Sequence, residues 1–246
     1  MSNPNSFREL SLKNKLSVIL LYTRVNLRVI FGFKVVLFLA VTALYYAAFY
    51  LSAINSKDIL TLDQALAWLI WMPTTIFAVF FSMEMISRER DAGLLETFFT
   101  VSVSIYRLWT IKFITLLLSV SFLALVLIAV SYRYVVDIPI FLTLVYVLPP
   151  LIFFAGLTVL FSAMFKSGNA AGICVVAVLA FVVLTADGLG TTVVYPYLNP
   201  FGRPYETDPF IWARTVAYNK IAYTLLGAVW FWRALRWLDR RERLLK

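Results

Sequence analysis

The sequence predicts an all-α polytopic membrane protein: six transmembrane helices, preceded by an N-terminal amphipathic helix lying in the interface. Three observations lead there. The chain of 246 residues is 62% hydrophobic, where soluble domains hold roughly 45–50% apolar residues. Its few charges enclose long uncharged runs: Lys34 to Lys57, Asp63 to Glu84, Lys112 to Arg133, Asp137 to Lys166, and Lys166 to Asp187. Each run reaches the ~20 residues that a bilayer core demands of a helix. A sixth run, interrupted by Lys220, follows near the C-terminus, and the short connections leave one membrane domain over 1–246 with no soluble domain.

Residues 7–33 come first. Lys13, Ser17, Arg24 and Arg28 recur on one helical stripe, while Leu12, Leu16, Ile19, Leu20, Leu27 and Ile30 face the other way. That pattern suits an interfacial helix whose cations meet headgroups while its apolar side dips into the bilayer. The spans follow at 35–54, 64–86, 105–132, 140–165, 170–186 and 215–237, with a charged loop at 87–104. Aromatic residues such as Tyr45, Tyr46, Trp68, Trp71, Trp109 and Trp232 gather towards span ends, as interfacial belts require. Pro73 and the Pro149-Pro150 pair fall inside spans, so kinks or local unwinding are expected there. The stretch 187–214 is rich in Pro, Gly and aromatic residues and is expected to cap one mouth of the bundle.

The net charge of +9, from 22 Lys+Arg against 13 Asp+Glu, would suggest nucleic acid in a soluble protein. Here placement decides otherwise. Lys and Arg crowd the N-terminal segment, the 84–112 segment and the tail, whereas the first and third opposite connections offer Lys57 and Arg133. The Lys/Arg bias sets orientation, so both termini and the 84–112 segment are expected to be cytoplasmic; Arg203 and Arg214 run against that assignment. The single Cys174 excludes an intrachain disulfide, and the absence of His removes the commonest transition-metal ligand. The polar, basic first residues show no cleavable signal pattern.

The segment 84–112 concentrates Glu84, Arg88, Glu89, Arg90, Asp91, Glu96, Arg107 and Lys112 in a chain that is only 14% charged. The second span is expected to continue a turn past the membrane through Ser87-Arg88-Glu89-Arg90, with Glu84 paired to Arg88 one turn on. Gly93 then bends the chain, and Leu94, Leu95, Phe98 and Phe99 make an apolar ridge on a short helix. Glu89, Asp91 and Glu96 stay open to polar contact. A rigidly held helix of this kind can pass force from a soluble partner into the bundle. The same residues also fit a solvated loop with weak local ion pairs.

This segment resembles the first cytoplasmic loop of ABC-2-type permeases, the membrane subunits of one class of ABC exporters. Those loops read as an acidic residue ending the second span, then Glu-Arg-Glu-x-Gly-Thr-Leu-Glu, a few apolar residues, Thr-Pro-Val-Ser and a Gly-Lys. This chain has Glu84, then Glu89, Arg90, Asp91, Gly93, Leu95 and Glu96, followed by Phe98, Phe99, Val103, Ser104 and Lys112, and departs at Leu94, Ser102 and Ile111. The resemblance implies a coupling helix built from Arg88, Glu89, Arg90, Asp91, Gly93, Leu95, Glu96, Phe98 and Phe99 that docks in a groove of a separate ATPase subunit. It also implies pairing with a second permease copy or a homologous permease, in the inner membrane of a bacterium or archaeon.

No Lys in the sequence follows a Gly, so the usual phosphate-cradling loop is missing. This chain is therefore expected to bind no cofactor and to do no chemistry, with ATP and Mg held by the partner. Gly168 and Gly172 open the fifth span as GxxxG, a close-packing motif. They fit the dimer interface that the resemblance implies, and equally packing within one subunit. Lys220, near the end of the last span, can snorkel to water; otherwise it serves an anionic headgroup or substrate. Membrane lipids are the other expected partners, and nucleic acid is not. Two other classes remain open: a non-transporting membrane component of an assembly or motility complex, and an ion-coupled secondary carrier. The carrier reading lacks the mid-membrane carboxylates such proteins use.

Overall fold

The computed structural model describes residues 34–52, 61–91, 105–165 and 167–239, with the backbone alone for 88–91, 105 and 239. The expected interfacial helix at 7–33 lies outside the described residues. All regular structure among the described residues is helical. We number the helices α1 (Lys34–Ser52), α2 (Leu62–Gln64, Ala65–Trp71 and Met72–Asp91, continuous), α3 (Ile105–Tyr134), α4 (Ile140–Phe165), α5 (Gly168–Leu184), α6 (Ala186–Leu189) and α7 (Pro209–Asp239). Four of them, α1 to α4, are long and apolar enough to cross a membrane. Helix α5 is apolar beyond Asn169 but has 17 residues. Helix α7 has 31 residues, a length of roughly 46 Å, and carries Arg214, Lys220, Arg233 and Arg236 along it.

Helix α4 is the centre of the bundle, packing against α2, α3, α5 and, most extensively, α7. Lipid is as apolar as a leucine side chain, so such helices associate through close packing and internal hydrogen bonds. The α4–α7 seam shows how. Gly156 on α4 and Gly227 on α7 bring backbone against backbone: a Cβ added to Gly227 would sit 2.6 Å from the Ile152 carbonyl oxygen. Further along, Phe113 of α3 stacks on Phe231 of α7 with ring centroids 4.0 Å apart. The Pro149-Pro150 pair is buried in α4, which continues as helix through it.

Helix α2 is not uniform. Over Ala65–Trp71 it widens into a π-helix, so that the Met72 N–H bonds Ala67 O rather than Trp68 O. Pro73 follows directly and supplies no N–H, which matches the local unwinding expected at that residue. The carbonyl of Trp68 thereby loses its backbone donors, and that of Leu69 loses the i+4 donor that Pro73 lacks. They are taken by α1: the Tyr45 hydroxyl donates to Trp68 O at 3.0 Å, and the Tyr46 hydroxyl donates to Leu69 O. Thr74 donates to Ile70 O and Trp71 O. Buried polar groups must find partners, and here the unwound turn of α2 is what fastens α1, which is otherwise barely buried in the bundle. Replacing Tyr45 and Tyr46 together by Phe is expected to lower stability by about 1–3 kcal/mol for each carbonyl left bare. Thermal unfolding in detergent, with proteolysis between α1 and α2 as a second readout, checks this.

At the other end of the same pair, Lys34 of α1 forms an ion pair with Glu84 of α2. The expected pairing of Glu84 with Arg88 involves a side chain outside the described residues. Lys34 reaches Glu84 because α1 runs alongside α2, where Phe38 packs edge-on against Phe77 with centroids 4.8 Å apart.

Candidate functional site

Two regions of the chain carry concentrated polar groups. The first is the charged segment after α2. Helix α2 remains helical to Asp91, so Arg88, Glu89, Arg90 and Asp91 lie on its last turn, with their side chains outside the described residues. Gly93, Leu95, Glu96, Phe98 and Phe99 also lie outside the described residues, and α3 resumes at Ile105. Leu62 to Asp91 is 30 residues, about 45 Å of helix, against a hydrocarbon core of ~30 Å. Helix α2 is thus longer than such a core, with the charged turn at one end.

The second region is at the opposite end of the bundle, under the segment 185–208. After the single turn of α6 this segment runs without regular structure to α7, so its backbone groups need partners from elsewhere. They come mainly from one face of α7. The Asn219 side-chain amide donates to Val193 O at 2.7 Å and Tyr195 O at 2.8 Å. The Lys220 ammonium donates to Leu198 O at 3.0 Å. The Tyr223 hydroxyl donates to Val194 O, and the Trp212 indole N–H donates to Pro200 O at 3.1 Å. Positions 219, 220 and 223 share a face because residues one turn apart align on a helix. The segment is also tied to α2: the Asn199 amide donates to Asp63, and the Tyr197 hydroxyl donates to Thr75 at 2.9 Å. Burial raises the Tyr197 phenol above its ordinary pKa, so it remains a donor. Tyr195 is raised too, by burial first and by the charge of Asp187 second.

Lys220 is the conspicuous member of this face. Its residue surface is 7% exposed, so the side chain does not snorkel free of the bundle. The segment 185–208 folds over it, and the route to water that an end position normally gives is closed. Its ammonium lies over the Trp71 ring, 5.7 Å from the centroid. Trp71 in turn packs against Tyr197, with centroids 5.3 Å apart.

Gly168 and Gly172 face α2 of the same chain. A Cβ on Gly168 would meet Ser87 Oγ at 2.5 Å and Met83 O at 2.7 Å; one on Gly172 would meet Met83 Sδ at 2.6 Å. The packing these glycines make here is within the subunit. Sequence reasoning missed Asn219, Tyr223 and Tyr197 as the holders of the cap, and Gly156 and Gly227 as a helix crossing. The signal for Asn219 was present: an amide beside a lysine inside an apolar run needs partners. No protein-family model, curated protein or solved structure matches this chain.

Proposed function

We propose that the chain is the membrane subunit of an ATP-driven exporter of the ABC-2 type, working as a dimer with a separate ATPase. One observation carries the reading: the charged sequence Arg88-Glu89-Arg90-Asp91, Gly93 and Leu95-Glu96 begins on the last turn of a helix longer than an apolar bilayer core. A stiff helix of this kind is a lever. A partner gripping its tip moves α2, and with it the α4 and α5 surfaces that α2 packs against. The chain has no Gly-Lys with which to cradle a phosphate, so ATP and Mg belong to that partner. In this reading the charged end faces the cytoplasm, as the placement of Lys and Arg favours, the capped end faces outward, and 7–33 and 215–237 complete the membrane domain as interfacial helix and sixth span.

The test is copurification. The wild-type chain is expected to bring down a P-loop ATPase from its own host, and vesicles holding both are expected to show ATP-dependent flux. Glu89→Lys combined with Glu96→Lys is expected to reduce copurification by at least about tenfold, since opposite-charge contacts at a docking surface become like-charge ones. Undiminished copurification sinks the coupling role. Copurification without flux of any lipid or small amphiphile would move the protein to the non-transporting class.

A further inference from the structure

Lys220 and Trp71 have hydrogen-bond donors to spare in a place where water is scarce. An ammonium has three donors and no acceptor, and an indole N–H is a donor alone. Lys220 uses one, on Leu198 O. The Trp71 Nε1 is buried and has no partner among the described residues. No carboxylate among the described residues ion-pairs with Lys220: Glu84 is with Lys34, Asp63 accepts from Asn199, and Asp208 accepts from the N–H groups of Phe210 and Ile211. Asp187, in the cap itself, acts on Tyr195 and forms no ion pair with Lys220. Thr75 and Tyr197 are engaged with each other, and Leu198 contributes a neutral carbonyl.

A buried cation without a counter-charge is strongly unfavourable, and a donor left bare adds to the penalty. One acidic group with several acceptor oxygens supplies what both donors lack. The local backbone points the same way. Trp71 is the last residue of the π-helical stretch of α2, and such one-turn distortions recur at functional sites.

We infer that Lys220 and Trp71 form a receptor for a phosphate group beneath the 185–208 cap. Entry requires the cap to part from α7, against which Asn219 and Tyr223 hold it by hydrogen bonds. The group is a lipid headgroup or a free phosphate. The inference rests on these buried side chains and not on the ATPase-coupled reading: the receptor can be tested in the isolated chain, so each can fail without the other.

The experiment uses the full-length chain alone. Thermal unfolding is followed in neutral detergent with increasing inorganic phosphate, and in phosphatidylcholine nanodiscs with and without phosphatidylglycerol. At least one of the two probes is expected to stabilise the wild type in a saturable way. Half-saturation is expected to be at least about tenfold weaker in Lys220→Met, the scale of one charged hydrogen bond, and weaker also in Trp71→Phe, which keeps an aromatic face and removes the N–H. Stabilisation by phosphatidylglycerol alone assigns the headgroup, and by inorganic phosphate alone the free anion. If Lys220→Met does not fold, Trp71→Phe carries the test. No stabilisation of the wild type by either probe, or an undiminished response in Trp71→Phe, overturns the shared site.

Discussion

Gly227→Val is expected to abolish recovery of folded, monodisperse protein. A Cβ at this position would sit 2.6 Å from Ile152 O, 2.7 Å from the Ile152 carbonyl carbon and 2.8 Å from the Phe153 nitrogen, all backbone atoms of α4. A flexible side chain could swing away; a helix backbone cannot without moving the helix. Overpacking a well-packed interior costs about 1–3 kcal/mol when neighbours can adjust, and here the whole α4–α7 contact, the most extensive in the bundle, must part. Gly227→Ala already carries that Cβ and is expected at the least to lower the unfolding temperature, with the two further methyls of valine making the loss complete. Size-exclusion profiles and thermal unfolding in detergent measure both. An unaltered profile for the valine variant would mean that α4 and α7 do not cross at these two glycines.

Asn219→Ala is expected to loosen the cap while leaving the bundle folded. The substitution strips the donor from two carbonyls at once, Val193 O and Tyr195 O. Leaving buried acceptors unpaired costs about 1–3 kcal/mol each. The penalty falls on a segment whose own hydrogen bonds are short turns, Tyr195 N–H to Thr192 O and Leu198 N–H to Tyr195 O, so local opening absorbs it rather than global unfolding. Amide exchange at Tyr195 and Leu198 is expected to accelerate by at least about tenfold, with α4 amides unchanged. Equal acceleration in both places would show that the cap is not a separable unit.

The helices of this fold were legible because their ends are written in charge and proline. The run between Asp137 and Lys166 yields α4 at 140–165, as expected. Helix α7 starts at Pro209, before the expected 215, because Asp208 caps it: its carboxylate accepts from Phe210 N–H at 2.8 Å, and Pro209 opens the first turn. That Asp-Pro pair was visible, but Arg214 drew the boundary inward. Helix α5 likewise starts at Gly168, two residues before the expected 170, with Ser167 accepting from the Ala170 N–H. The π-helical stretch was not legible. Ala65–Trp71 is apolar in every position, so no periodicity records the change of pitch, and only Pro73 hinted at it.

The site was half legible for a related reason. The charged turn is local in sequence and stands out by composition, as does Lys220. Its surroundings are a matter of which distant residues the fold brings together: Lys220 meets Leu198 and Trp71, and Lys34 meets Glu84, across separations that no spacing rule spans. The expected solvent exposure of Lys220 failed for the same reason, since the covering segment precedes α7 and folds back over it.

Tyr197 and Asn199 tie the cap to α2 by their side chains, but where it is gripped by carbonyl groups the grip is indifferent to the side chain. Asn219, Lys220 and Tyr223 hold Val193, Val194, Tyr195 and Leu198 through main-chain oxygens, which every amino acid supplies alike. Val193 and Val194 meanwhile turn their side chains outward, 44% and 65% exposed. These two outward positions can therefore be rewritten without unfastening the cap. Selection can change what the mouth of the bundle meets while the helices beneath it stay as they are.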